Sequence, residues 1–275
     1  MDSIQLTRQE FEKYQKLILK LCGISVPDTK ITLLSNRVRR RLRATNIESF
    51  QSYFDFLTSS SGKTELDGFL SAITTNETSF FRTQKHFDWL STEFVDLQIA
   101  RSKEVGSRRS IRIWSAACST GEEPYSIALC LAENQHKLTS WKLEILGTDI
   151  SEQALSQARA GLFATQTMDD IPLKLRTQYF QHDTAANAWK VKPALSEIVK
   201  FKRHNLMHPI TEPAFDCIFI RNVLIYFNRA SKETVIENLV KALAPRGFLV
   251  VGPSEGIFDM LGMLTKRSTF LYQKE

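Results

Sequence analysis

Apolar positions before residue 110 recur at helical spacing and never alternate as a strand would. Phe11, Tyr14, Leu17, Ile18 and Leu21 fall every three or four residues. They predict a helix from about residue 7 that Cys22-Gly23 stops, followed by a turn at Pro27-Asp28. Ile31, Leu34, Val38 and Leu42 share one face of a second helix over roughly 30–44. Phe50, Tyr53, Phe54 and Leu57 predict a third, closed by Ser59-Ser60-Ser61-Gly62, and a fourth starts near Thr64. The stretch ITTNETSFFR (73–82) is polar and short-chained, then aromatic. On composition alone it reads as a cap for a helix over Lys85–Ala100, with Phe80 and Phe81 in the core. Lys103–Ser110 is a polar linker.

The pattern changes at Ile111. Short apolar runs now alternate with helical stretches: a strand at Ile111–Ser115, a helix at Pro124–Glu133 and a strand at Leu143–Gly147. Ser151 can cap a helix that runs through Ala160. A further strand is predicted at Phe215–Ile220 and a helix at Ser231–Leu243. Pro245-Arg246-Gly247 turns into a strand at Phe248–Val251. This β/α alternation predicts a mainly parallel sheet covered on both faces. The closing segment Thr269–Tyr272 follows without a crossover helix and is expected to be antiparallel. Residues 162–210 break the rhythm. Tyr179-Phe180 and Trp189-Lys190-Val191 predict two short strands joined by His182–Asn187, a small β excursion between units.

Composition narrows the classes. The 275 residues are 43% hydrophobic and 24% charged, which suits a globular chain with a sizeable core. No apolar run reaches membrane-spanning length, and Met1-Asp2-Ser3-Ile4 begins no signal peptide. The four scattered cysteines form no C-x-x-C pair and read as reduced thiols, so a cytoplasmic setting is expected. The net charge of +6 permits an acidic partner without naming it. Five arginines, Arg37, Arg39, Arg40, Arg41 and Arg43, lie on the second helix with no acid among them. Helical geometry turns Arg39, Arg40 and Arg43 away from the apolar face and sets Arg37 and Arg41 beside it. Such a face is either solvated or a docking surface.

Candidate chemistry gathers at the ends of the predicted strands. The turn Ala116–Gly121 is built of small residues, which lets a ligand approach the backbone. Asp149 ends the next strand, where a carboxylate can accept two ribose hydroxyls. The turn lacks G-x-G-x-x-G, and the helix after it opens with Glu122 and Glu123, which repel phosphate. Acids at that point suit a cationic ligand such as S-adenosylmethionine (SAM) better than NAD. The plain alternative is that both acids only complement the helix dipole. Arg221 and Asn222 follow the Phe215–Ile220 strand directly, at the same carboxyl edge, and Tyr226 lies in the loop beyond.

These stretches resemble the CheR-type methyltransferases, which esterify glutamates of bacterial chemotaxis receptors with SAM. The matching pieces are TTNETSFFR (74–82), WSAACSTGEEPYSIA (114–128), GTDIS (147–151), FKRHNL (201–206), FDCIFIRNVLIYF (215–227) and GPSE (252–255). The resemblance implies a Rossmann-like SAM-dependent α/β fold. An all-helical N-terminal domain over 1–75 would dock the receptor. A linker and cofactor-covering helix would span 76–110, and the catalytic domain 111–275, with a β subdomain near 176–200.

By position, the family's cofactor contacts fall on Asn76, Thr78, Arg82, Glu122, Asp149, Asn205, Leu206, Arg221 and Asn222, with Arg82 and Tyr226 near the transferring methyl. Charge reasoning alone does not separate Glu122 from Glu123. The arginine-rich second helix would face acidic methylation helices of the receptor. Some members hold a tethering pentapeptide on a glycine-containing loop of the β subdomain. No glycine lies between Gly161 and Gly247 here, so direct docking without a tether is expected. Two other readings compete: a nucleic-acid methyltransferase, against which no N/D-P-P-Y-type loop is present, and a regulator that binds SAM or its product without catalysis.

Overall fold

A computed structural model describes residues 5–275. Four helices come first: α1 (Arg8–Cys22), α2 (Ile31–Thr45), α3 (Phe50–Thr58) and α4 (Glu65–Ile73). Thr7 and Glu10 form a capping box at the start of α1, and Gly23, at φ 74°, ends it in the left-handed conformation. The apolar stripes meet in one core of Phe11, Tyr14, Ile18, Leu34, Val38, Tyr53 and Phe69, all nearly or wholly buried.

The stretch after Arg82 forms α5 (Gln84–Trp89), a π-helical turn at Leu90–Phe94 and α6 (Val95–Arg101). Then follow β1 (Ser110–Ala116), α7 (Glu122–Glu133), β2 (Lys142–Asp149) and α8 (Glu152–Ala160). The small subdomain holds β3 (Leu162–Ala164), α9 (Leu173–Tyr179), β4 (Phe180–Asp183), β5 (Ala188–Val191) and α10 (Pro193–Ser196). The chain closes through β6 (Val199–Arg203), β7 (Phe215–Ile220), α11 (Arg229–Ala242), β8 (Leu243–Val251), β9 (Thr265–Lys266) and β10 (Leu271–Gln273).

The main sheet runs in the order β6-β2-β1-β7-β8-β10-β9, with β10 antiparallel to β8 and the strands from β6 to β8 parallel. One face packs on α5, α6 and α7 through Phe87, Val95, Ile127 and Leu131. The other packs on α11 through Val235, Ile236 and Leu239. The order places β2 on one side of β1 and β7 on the other, so the crossovers leave a crevice at the carboxyl ends. Ala116 pairs with both Thr148 and Ile220, so the loops after β1, β2 and β7 leave the sheet at one level.

Three details differ from the sequence expectation. Val199–Arg203, inside the stretch that broke the rhythm, is an edge strand of the main sheet, and its V-K-F-K-R alternation is the signal for it. The β excursion has three strands, ordered β3-β5-β4. Pro245-Arg246-Gly247 does not precede β8 but interrupts it, as a register shift opposite Phe215 and Cys217 with Arg246 at φ 61°.

Candidate active site

The turn after β1 takes its shape from alternating left-handed residues: Ala117 at φ 62°, Ser119 at 51° and Gly121 at 99°. Non-glycine residues in that region carry strain that the surroundings must hold. Here the Cys118 N–H donates to the Thr148 carbonyl at 2.8 Å, and the Ser119 N–H to Asp149 Oδ2 at 2.9 Å. A side chain at Gly121 would press on Ala158, and one at Gly147 on Phe201 and Cys118 Sγ, so both glycines permit close packing below the turn. Asp149 is 7% exposed and takes a second N–H, from Ser151, on Oδ1 at 2.8 Å. Burial raises its pKa while these donors oppose the rise. These bonds leave the carboxylate further acceptor capacity towards the cavity.

The polar loop 74–82 lies against this turn rather than merely capping a helix. Ser119 Oγ donates to the Asn76 carbonyl at 2.9 Å, and the Phe81 N–H donates to Ser126 Oγ on α7 at 3.0 Å. Arg221, buried at the end of β7, completes the join: it pairs with Glu123 at 2.9 Å and donates to the Arg82 carbonyl. Arg82 itself is exposed and donates to the Glu77 carbonyl at 3.0 Å. From the third side comes the loop after β7, with Asn222 at φ 58° and a short 3-10 turn at Leu224–Tyr226.

A cavity of about 600 Å³ lies between these elements. Asn76, Thr78, Arg82, Asp149, Asn205, Leu206, Arg221, Asn222 and Tyr226 all line it. Glu122 does not. It turns into the interior, where Thr120 Oγ1 donates to it at 2.7 Å and burial raises its pKa. Glu123 lines the cavity instead, accepting from Ser115 Oγ on one oxygen and from Arg221 on the other. Consecutive helical positions point about 100° apart, so the second acid, and not the expected Glu122, lines the crevice. Its charge is already balanced by Arg221, so Asp149 is the acid left with the most free acceptor capacity.

Two other expected residues are bound into the surrounding fold. The Asn205 amide is spent on the Leu21 carbonyl of α1, at 2.7 Å, and on the Met207 N–H. Leu206 supplies an apolar wall and its carbonyl accepts from Asn238. The sequence reading overlooked the connector between α1 and α2. Cys22, Ser25 and Pro27 line the cavity, Ile24 bridges Phe227 as a short antiparallel pair, and the Ser25 N–H donates to the Tyr226 carbonyl at 2.8 Å. No local signal in that connector announces such a contact.

The arginine helix divides. Arg37 lines the cavity and is tied to the Ile73 carbonyl and Thr75 Oγ1, so it belongs to the wall. Arg41 pairs with Glu65 of α4 through two nitrogens at 2.7 and 2.8 Å, and Tyr53 donates to the same carboxylate. The acid that neutralises it lies on another helix, which is why α2 alone looked unpaired. Arg40 and Arg43 are exposed and Arg39 is half-buried, near Asn36.

The cavity volume falls in the roughly 300–1,000 Å³ range of cofactor sites. Asp149, Glu123 and the 117–119 turn share its wall. No group of His, Cys, Asp and Glu side chains that could hold a metal occurs among the described residues, and no described helix is long and apolar enough to cross a membrane. Fold and site together define a Rossmann-like, SAM-dependent methyltransferase. The chain matches the CheR methyltransferase all-alpha domain over residues 9–74 and the CheR methyltransferase SAM binding domain over 76–270. It belongs to the CheR methyltransferase family. Its relatives include chemotaxis protein methyltransferase 2 of Pseudomonas aeruginosa, 36% identical over 90% of this chain and 87% of that protein. The chemotaxis protein methyltransferase of Borreliella burgdorferi is 35% identical over 93% and 90%, and that of Escherichia coli 33% identical over 98% and 92%.

Proposed function

We propose that this enzyme methylates glutamate side chains on the cytoplasmic helical region of a chemoreceptor, forming the methyl ester and S-adenosylhomocysteine. The observation that carries the reading is the convergence of Asp149, Arg82 and Tyr226 on one cavity within a CheR-family chain. SAM, when bound, supplies an electrophilic methyl group on a sulfonium. Asp149 holds its ribose, Glu123 and the 117–121 turn its amino-acid end, and the 76–78 loop and Leu206 its remaining walls.

A glutamate carboxylate, with an ordinary pKa near 4.3, is already ionised at neutral pH, so the site needs no general base. Catalysis rests on alignment. Tyr226, 37% exposed at the cavity, donates its hydroxyl to the incoming carboxylate. Arg82 exchanges its bond to the Glu77 carbonyl for that carboxylate and steers it. Too firm a grip would hinder the reaction, because the charge pair disappears as the neutral ester forms. Arg39, Arg40 and Arg43 dock the acidic receptor helices. Leu33 and Arg37 of α2 line the cavity, which sets that helix at its mouth. The β4–β5 turn holds no glycine, and we assign the receptor contact to α2 without a peptide tether. The enzyme then works in the cytoplasm, where those receptor helices lie.

The test is transfer of labelled methyl from SAM to receptor-containing membranes. Label released as methanol by mild base supports a glutamate ester. Base-stable label, or none, overturns the reading.

A further inference from the structure

The GPSE segment (252–255) makes no contact that the cavity argument requires, yet it ends in a buried acid. Glu255 is 0% exposed. Its Oε1 accepts from the Asn222 N–H and its Oε2 from the Leu224 N–H at 2.7 Å. The N–H groups of Val223 and Ile225 also face the carboxylate. Four consecutive backbone donors thus converge on one side chain, as they would on an anion at a helix start. The turn they belong to carries Tyr226. Beneath it, Gly252 leaves room for the acid: an added Cβ would lie 2.5 Å from Glu255 Oε1 and 3.2 Å from the Asn222 nitrogen. Lys232 fixes the segment from the other side by donating to the Glu255 carbonyl at 2.7 Å.

We propose that Glu255 is a positioning residue for methyl transfer: its carboxylate holds the 222–226 turn so that Tyr226 meets the substrate. The proposal rests on the reading that Tyr226 faces the incoming carboxylate. A carboxylate is the side chain that suits this place. A glutamine would turn an NH2 group towards one pair of donors, and an aspartate would fall short of them. The strained backbone of Asn222 depends on the same bonds. The loop is therefore shaped by an acid some thirty residues away in sequence, which the family motif displays without explaining.

The experiment is a double-mutant cycle on the full chain, with receptor-containing membranes and labelled SAM. Tyr226→Phe, Glu255→Gln and the pair are compared in kcat, SAM Kd and thermal midpoint. Glu255→Gln is expected to lower kcat about tenfold or more while SAM Kd stays within about threefold. In the Tyr226→Phe background the same change should cost less than about threefold. Losses that multiply in the double mutant, or a fully active Glu255→Gln enzyme, overturn the proposal. A fully active Tyr226→Phe enzyme instead overturns the reading of Tyr226 itself. If Glu255→Gln does not fold, Gly252→Ala, which displaces the carboxylate while keeping it, takes its place in the cycle under the same criteria.

Discussion

Asp149 and the two glutamates that open α7 carry the residue-scale predictions. Two backbone N–H groups hold the Asp149 carboxylate where β2 ends, leaving its other acceptor positions towards the cavity. Asp149→Asn should therefore weaken SAM binding by about ten- to a hundredfold, since a hydrogen bond to a charged group contributes about 1.5–3 kcal/mol. Calorimetric titration measures this, and an unchanged Kd would remove Asp149 from the site. Glu123→Gln should weaken SAM by about tenfold, near 1.4 kcal/mol, and Glu122→Gln by less than about twofold. The reverse order in the same titration would return the cofactor contact to Glu122. Arg82→Ala should lower kcat far more than SAM affinity. The opposite split in steady-state kinetics would make Arg82 chiefly a cofactor contact.

On α2 the five arginines have separate tasks. Arg41 is tied to Glu65 with both side chains largely covered, at 25% and 12% exposure. Arg41→Ala leaves the largely covered Glu65 carboxylate without its cation, with only the Tyr53 hydroxyl still donating to it, and should cost about 1–3 kcal/mol of stability, read by urea denaturation. The triple change Arg39→Glu, Arg40→Glu and Arg43→Glu should abolish receptor methylation while SAM titration stays unchanged. Full methylation by that variant would mean that α2 is only a solvated face. The helix face was legible from spacing, because Val38 and Leu42 must point inward. That Arg41 and Arg37 are tied into the bundle was not, because Glu65 and Thr75 reach α2 only after the bundle folds.

The whole molecule joins a helical bundle to a sheet through polar contacts. Arg203 pairs with Asp67, Ser151 Oγ bonds to Ser71 Oγ, and Asn205 reaches Leu21. Its stability should also depend on pH through His86. That ring is fully buried and stacked on Phe270 at 4.4 Å, and both of its nitrogens lack partners. Burial, with Arg221 and Lys85 nearby, lowers its pKa to about 3. Between the ordinary value near 6.5 and about 3, the unfolded chain binds a proton that the folded chain refuses. Stability from this group is therefore complete above pH 6.5 and falls as pH drops, by at most about 1.4 kcal/mol per unit. Thermal melts at pH 7 and pH 5 should show a smaller drop in Tm for His86→Phe than for the parent. An equal drop would mean that His86 takes up its proton equally well in the folded and unfolded chain.

Much of this protein is local chemistry and could be read from its order of residues. Apolar periods of three to four set the bundle, since they leave one stripe to bury, and short continuous apolar runs set the sheet, since its central strands are covered on both faces. Asp149, Arg221 and Asn222 were legible because residues that end parallel strands share the carboxyl edge. Tertiary structure alone decided the rest. It turned Glu123 rather than Glu122 to the cavity, because the left-handed turn at 117–121 sets where α7 begins. It spent the Asn205 amide on α1 and the Arg41 charge on α4. It laid residues 22–27 over the site and brought Glu255 beneath Asn222. Each of those contacts joins segments far apart in the chain, so no local spacing encodes it. It exists only once burial has removed water as the competing partner.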